Sequence, residues 1–391
     1  MERIAEDEMR TLLGRLLDPN IRFPPVPRLV PDLRTFAMPD GLGIQFRGGE
    51  IPIIIRGTRA NDALAFLLPR LDGTRTLEAL LTECPPELPK PTLLRTLSLL
   101  HSKGLLTGAE SSSPGPGTDD VLRRQMLFWG RHLDLSRNAS SAVEVQRRLA
   151  TARLVLVGTG MFGITAYDLL TRSGCIEVRA LDWNDDGLFH ETLIDSPTPP
   201  RELVHLSATS VDAAAAQLRA WAEDTDFLVT ATCDAPAALF RAINRLSLIH
   251  SMPWLHANMS GSRADIGPYV WPHDSACFHC MELRQASMQG LAIEEHLYQE
   301  HLAEERDAAE RIPRGEAVWS STLAASLLTG EVIRVVSGIA APTLLNAVIE
   351  ISPVSGGMRM NHFLRVPRCP ECYQGEVLLQ SVMDGDTGVR A

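Results

Sequence analysis

Lysine is nearly missing from this chain. Among 391 residues there are two, Lys90 and Lys103, and none from residue 104 onward. No ammonium group is therefore available to any chemistry carried by the rest of the chain. Long apolar runs are missing as well: none approaches the ~18–20 residues a bilayer-spanning helix needs. The first twenty residues alternate charge with leucine and hold no apolar core segment, so they do not read as a secretion signal. These absences set the expectation of a cytoplasmic protein with no membrane partner. Surplus positive charge is the third absence. Residues 1–110 hold 14 basic and 14 acidic side chains, and the whole net charge of −11 falls beyond them. Such a surface excludes non-specific nucleic-acid binding.

The composition that remains, 45% hydrophobic and 22% charged, is that of an ordinary globular chain. At this length two domains are expected. Ser111-Ser-Ser-Pro-Gly-Pro-Gly-Thr118 has no residue able to join a core and reads as the linker over 111–118. Residues 1–32 read as an amphipathic helix (Ile4, Met9, Leu12, Leu13, Leu16, Leu17) followed by the extended link Phe23-Pro-Pro-Val-Pro27.

Residues 33–110 form a compact unit. Strands are predicted at Arg34–Met38, Leu42–Arg47 and Ile51–Arg56, separated by the turn signals Pro39-Asp40-Gly41 and Gly48-Gly49. Helices are predicted at Arg59–Pro69, Thr76–Thr82 and Pro91–Lys103. Three strands and three helices make a winged-helix-like arrangement. DNA binding is excluded by the third helix, whose only cations are Arg95 and Lys103, with titratable His101. The isoleucine strand reads either as a buried central strand or as an edge offering backbone groups to another chain. Pro52 favours the edge.

The larger domain, residues 119–391, opens with helices at Asp119–Arg131 and within His132–Ala150. Arg153-Leu-Val-Leu-Val-Gly158-Thr-Gly160-Met-Phe-Gly163 follows: a buried strand, a glycine-rich turn and the start of a helix. A second strand, Ile176 to Leu181, closes on Asp182, 24 positions after Gly158. This is the order of a Rossmann-like βαβ unit. Gly158 permits the turn, Gly160 lets N–H groups approach phosphate, Gly163 lets helix and strand pack, and Asp182 stands where a ribose is held. The chain is read as irregular from Asp182 through Pro200. Beyond it strands and helices alternate, so the fold class is α/β with a largely parallel sheet. A polar stretch over 285–312 reads as a helical excursion.

Cys277-Phe-His-Cys280 and Cys369-Pro-Glu-Cys372 supply four thiolates at the spacing of a tetrahedral zinc site. Copper and iron–sulfur are the other occupants of such a set. A redox dithiol would need one pair to open a helix, and both are read here as lying between extended segments. A full set of four thiolates leaves no open position, so the metal is expected to be structural. His279 is surplus to it. Cys84, Cys175 and Cys233 read as buried apolar residues rather than nucleophiles.

Residues 33–110 resemble the PqqD-like leader-recognition domain of peptide natural-product pathways. The similarity rests on Pro39-Asp40-Gly41, on Ile51-Pro-Ile-Ile-Ile-Arg56, on Leu71-Asp-Gly-Thr-Arg-Thr-Leu and on the helix closing at His101-Ser-Lys-Gly104. That resemblance implies a precursor's leader docked as an added strand. Its contacts would be Ile51, Ile53, Ile54, Ile55 and Arg56 with Leu94, Arg95, Leu97, Ser98 and His101. The glycine loop, Asp182, Cys233-Asp234 and the two cysteine pairs together resemble the ThiF/MoeB-type family, relatives of the ubiquitin-activating enzymes. That resemblance runs from Arg123-Arg124-Gln125 to about residue 375. It implies a homodimer in which an N-terminal arginine (Arg123 or Arg124) reaches the partner's nucleotide. It also implies ATP held at Gly158, Gly160, Gly163 and Asp182, magnesium held by Asp234, and zinc held by Cys277, Cys280, Cys369 and Cys372.

Departures from the family pattern qualify the catalytic part. The Asn-Leu-x-Arg-Gln run expected after the ribose aspartate is replaced by Phe189-His190-Glu-Thr-Leu193-Ile. The asparagine after the magnesium aspartate is Ala235, and the phosphate-neutralising lysine has no counterpart. Arg201, Arg219 and Arg263 are the cations available to replace it. Losing fixed cations removes the electrostatic contribution that dominates adenylyl transfer. The combination resembles the leader-binding partner proteins of YcaO cyclodehydratases, which make thiazole- and oxazole-modified peptides including thiopeptides. It implies a separate YcaO protein and a non-catalytic role for this chain. The alternative is an ATP-dependent adenylating enzyme of the microcin C or pantocin type, with Asp234, Arg123 and Arg124 active.

Overall fold

The computed structural model describes residues 23–373 apart from 32, 49–51, 109–118, 133–138, 140, 184–186, 207–209, 289, 291–292, 295–296 and 298–314. The predicted N-terminal helix, the 111–118 linker, Ile51 and most of the 285–312 stretch lie outside the described residues. The chain divides into two compact units, residues 1–148 with 337–341 and residues 149–336 with 342–391.

In the first unit, β1 (Pro27–Leu29) pairs antiparallel with β5 (Leu106–Gly108), so the proline-rich link ends as a strand. A three-stranded antiparallel sheet runs in the order β2 (Arg34–Ala37), β3 (Ile44–Arg47), β4 (Ile53–Ile55). A short 3-10 turn at Pro39–Gly41 connects β2 to β3. The isoleucine strand is therefore an edge strand, as Pro52 suggested. Alternation puts Ile44, Phe46 and Ile55 inside and turns Phe36 and Ile54 outward. Helices α1 (Thr58–Leu67), α2 (Leu77–Thr82) and α3 (Lys90–Ser102) cover the inner face. Thr76 caps α2, its hydroxyl accepting from the Ala79 amide at 3.2 Å. Leu93, Leu97 and Leu100 of α3 recur at helical spacing and are fully buried with Leu64, Leu67 and Leu80. Helices α4 (Asp120–Arg131) and α5 (Ala142–Thr151) follow.

The second unit is built on an eight-stranded sheet. Its parallel part comprises β8 (Glu202–His205), β7 (Val178–Asp182), β6 (Leu154–Gly158), β9 (Phe227–Cys233) and β10 (Trp254–Ser260), in that spatial order. Three antiparallel strands extend it past β10: β11 (Arg263–Val270), β12 (Ala347–Ser352) and β13 (Gly357–His362). β6 lies inside the sheet and all five of its residues are buried, as a parallel strand covered on both faces requires. Helices α6 (Gly160–Arg172), α8 (Val211–Trp221), α9 (Ala237–His250), α10 (Phe278–Met288) and α11 (Val318–Ser337) complete the unit. No described helix is long and apolar enough to cross a membrane.

One element contradicts the expectation of an irregular segment up to Pro200, and a second, unpredicted, lies just beyond it. α7 (Leu188–Ile194) is a short helix whose Phe189 and Leu193 are buried one turn apart. β8 is a four-residue, half-exposed edge strand in register with β7. Both are too short for periodicity to reveal, and the tertiary contact of Phe189 holds the first.

Candidate functional site

The C-terminal ends of β6, β7 and β9 bring five predicted residues together. Gly158 pairs with Asp182 on one side and Ala231 on the other. The turn then enters α6 through Gly160 at φ +53°, a left-handed conformation that favours glycine. Asp234 follows β9 at φ +48°, its amide donating to the Met259 carbonyl at 2.7 Å. Thr159 joins the loop to β9, its hydroxyl accepting from the Cys233 amide at 2.7 Å.

The groups that would receive a nucleotide are already engaged by the chain itself. At the N-terminus of α6 the Met161 amide donates to Glu316 Oε2 at 2.7 Å. A helix N-terminus attracts anions through its free N–H groups and its dipole, and here a carboxylate takes that place. It sits so close that a Cβ built on Gly160 would collide with Glu316 Oε1. Asp182 is wholly buried. Its Oδ2 accepts from the His190 amide at 3.1 Å and lies 3.0 Å from His205 Nδ1, which donates to it. The Phe189 ring lies on the glycines, 2.6 Å from a Cβ built on Gly158 and 3.0 Å from one on Gly163. Gly158 and Gly163 are thus needed for packing against Phe189, apart from any ligand.

Burial, and after it the Glu316 carboxylate, pushes the Cys233 thiol well above its ordinary range. Burial lifts Cys175 to about 12 and raises Cys84. Two of the three candidate replacement cations are committed elsewhere, while Arg219 is exposed on α8. Arg201 stands at the start of β8, the far end of the sheet, paired with Glu177 at 2.9 Å. Arg263 pairs with Asp265 at 3.0 Å and Glu350 at 3.3 Å. Arg123 and Arg124 belong to α4 of the first unit, where Arg124 pairs with Asp120 at 3.1 Å. Sequence reasoning missed Glu316, Phe189 and His205 as site residues. The phenylalanine was in view as a departure from the family run. No local signal marks Glu316, which reaches Met161 across 155 positions.

The four predicted metal ligands converge. Cys277, Cys280, Cys369 and Cys372 are buried with their sulfurs within 4.8 Å of one another. Cys277 Sγ lies 3.8 Å from Cys280 Sγ and 3.8 Å from Cys369 Sγ, and Cys280 Sγ lies 3.5 Å from Cys372 Sγ. A tetrahedral ion bonded to sulfur at about 2.3 Å has edges of about 3.8 Å, so the set fits one metal ion. The expected setting of the first pair is corrected: Cys277 immediately precedes α10 and Cys280 lies inside it. A pair opening a helix suits a redox dithiol, but here each sulfur of that pair has a neighbour from the second pair. Asn244 binds both pairs, its Oδ1 accepting from the Phe278 amide at 3.0 Å and its Nδ2 donating to Glu371. His279 is held by Glu282 at 3.0 Å.

In the first unit, the residues predicted to meet a peptide differ in access. Ile55, Leu97 and Ser98 are buried; Ile53, Leu94 and His101 are partly buried; Ile54, Arg56 and Arg95 are exposed. Among the described residues nothing pairs with the outer edge of β4.

Residues 202–372 match the ThiF family. That match spans under half of the chain. The fold of the chain is shared with E. coli MccB solved with succinimide, at a TM-score of 0.64 and 17% identity over 88% of this chain and 98% of MccB. The microcin C7 biosynthetic enzyme MccB in complex with N-formylated MccA gives 0.64 and 16% over 89% and 99%. The heterocyclase TruD gives 0.59 and 17% over 91% of this chain but 44% of TruD. At these identities the likeness establishes the fold alone. No curated protein matches.

Two outcomes follow. Purified protein will carry about one equivalent of tightly held metal per chain by elemental analysis. Cys369→Ser will lose it, and the second unit will unfold at lower denaturant. Glu316→Ala frees the Met161 amide, so ATP or pyrophosphate will bind about tenfold more tightly than to wild type in equilibrium dialysis. Equal affinity would show that the carboxylate is no competitor.

Proposed function

We propose that this chain binds the leader of a ribosomally made precursor peptide and presents the core to a separate YcaO cyclodehydratase. That partner forms the azoline and azole heterocycles; this chain does not itself activate a carboxylate. The observation that carries the reading is Glu316 at the α6 N-terminus, with Asp182 spent on His190 and His205. The triphosphate would meet a carboxylate where the chemistry needs cations.

The binding half rests on β4. Its open edge can accept an added strand through backbone hydrogen bonds, while Ile54, Arg56 and Arg95 are accessible to side chains. The heterocyclase TruD and MccB, solved with MccA, share the fold. We assign zinc to the four cysteines, because buried thiolates in a closed tetrahedral set suit that ion. Zinc would tie the residues after β13 to α10 and supply stability rather than reactivity. The reading also carries a cytoplasmic homodimer.

One observation favours a second reading, ATP-dependent adenylation of the peptide by this chain. The fold covers 98% of MccB against 44% of TruD, and MccB has been solved with ATP. In that reading Glu316 must leave the loop, Asp234 holds magnesium, and Arg123 or Arg124 meets the nucleotide.

Reconstitution separates them. This chain, a YcaO cyclodehydratase and a Cys/Ser/Thr-rich precursor peptide from the same source will together give loss of one water per modified residue by mass spectrometry. Omitting either protein will abolish it. Pyrophosphate release by this chain with peptide and ATP alone would establish the second reading instead.

A further inference from the structure

The solvent face of the small sheet carries a charge arrangement that the fold does not explain. Arg34 and Arg47 are directly opposite each other in the β2–β3 register. Phe36 opposes Gln45, and Gln45 opposes Ile54, so these five side chains share one face across three strands. The other face, with Ile44, Phe46 and Ile55, is the core. Phe36 is 55% exposed and Ile54 40%, and both arginines are exposed. Arg56, also exposed, follows β4 directly.

Like charges directly opposite on an antiparallel pair are destabilising. Elsewhere in the same unit the half-buried Arg75 has Asp72 and Glu83, the half-buried Arg70 has Glu83 and the exposed Arg124 has Asp120, whereas Arg59 and Arg95 are exposed singly rather than facing a like charge. Among the described residues none of the Arg34, Arg47 and Arg56 side chains has an ion-pair or hydrogen-bond partner. A face with two facing guanidinium groups, a third at its margin and an apolar strip between them is complementary to an acidic, amphipathic chain. Each guanidinium offers a planar fork to a carboxylate.

We propose that this face takes an acidic peptide segment, its carboxylates on Arg34, Arg47 and Arg56 and its apolar side chains on Phe36 and Ile54. The proposal rests on the leader-binding reading and adds to it the chemistry of the peptide: the bound leader is acidic. A peptide is favoured over nucleic acid because the open β4 edge adjoins the face. The even charge of residues 1–110 also leaves no wider basic field to follow a phosphate backbone.

Full-length, metal-loaded protein is used to select from a random-peptide display library. The wild type will enrich peptides rich in Asp and Glu with interspersed apolar residues. A triple charge reversal, Arg34→Glu, Arg47→Glu and Arg56→Glu, will bind those winners about tenfold more weakly. A triple lysine variant at the same positions will keep the acidic preference, which separates charge from surface damage. Winners with no acidic bias, or winners bound equally by the reversal variant, overturn the proposal. If such winners still protect the amides of Ile53–Ile55 from hydrogen exchange, the docking reading stands while this inference falls. A library that yields no winner overturns both. An oligo(U) that displaces the winners and loses affinity in the reversal variant assigns the face to nucleic acid.

Discussion

The carboxylate of Glu316 on the Met161 amide is the contact around which the candidate nucleotide loop is arranged. It places a negative charge at the one end of α6 where a helix favours an anion. A side chain at Gly160 would occupy the same space. Cys233, also near that carboxylate, stays a thiol. On the other side of β6, Phe189 closes on Gly158 and Gly163. The glycines of a phosphate loop are thereby retained for reasons of space, and the anion they would cradle is supplied by residue 316 of the same chain.

A second constraint acts at the other end of the unit. Four thiols packed within 4.8 Å of one another cannot all ionise without a cation among them. A metal there would join α10 to the residues that follow β13, and Asn244 already bridges the two pairs from α9. Four thiolates around one ion would leave it no open position, which suits a tie between segments.

Much of this was legible in the order of residues. Leu154 to Gly163 announces strand, turn and helix because each glycine has a steric role, and two CxxC pairs announce a metal because thiolates in fours do little else. Pro52 pointed correctly to an edge strand. What escaped was set by contacts far apart in sequence. α7 exists because Phe189 packs on the glycine loop, and β8 because it finds a register beside β7. The entry of Cys280 into α10 depended on where the helix started, which flanking residues did not mark. Glu316 was invisible for the same reason: a carboxylate becomes a phosphate substitute only once the chain folds back across 155 positions.

The central claim is that the working surface is the edge of β4 and that the glycine loop is closed. Hydrogen–deuterium exchange on the full chain, with and without the precursor peptide and ATP, tests this most directly. The account predicts that peptide slows exchange at Ile53–Ile55 and that ATP leaves Gly158–Gly163 unchanged. Protection of Gly158–Gly163 by ATP, with no change at Ile53–Ile55 on adding peptide, would contradict it.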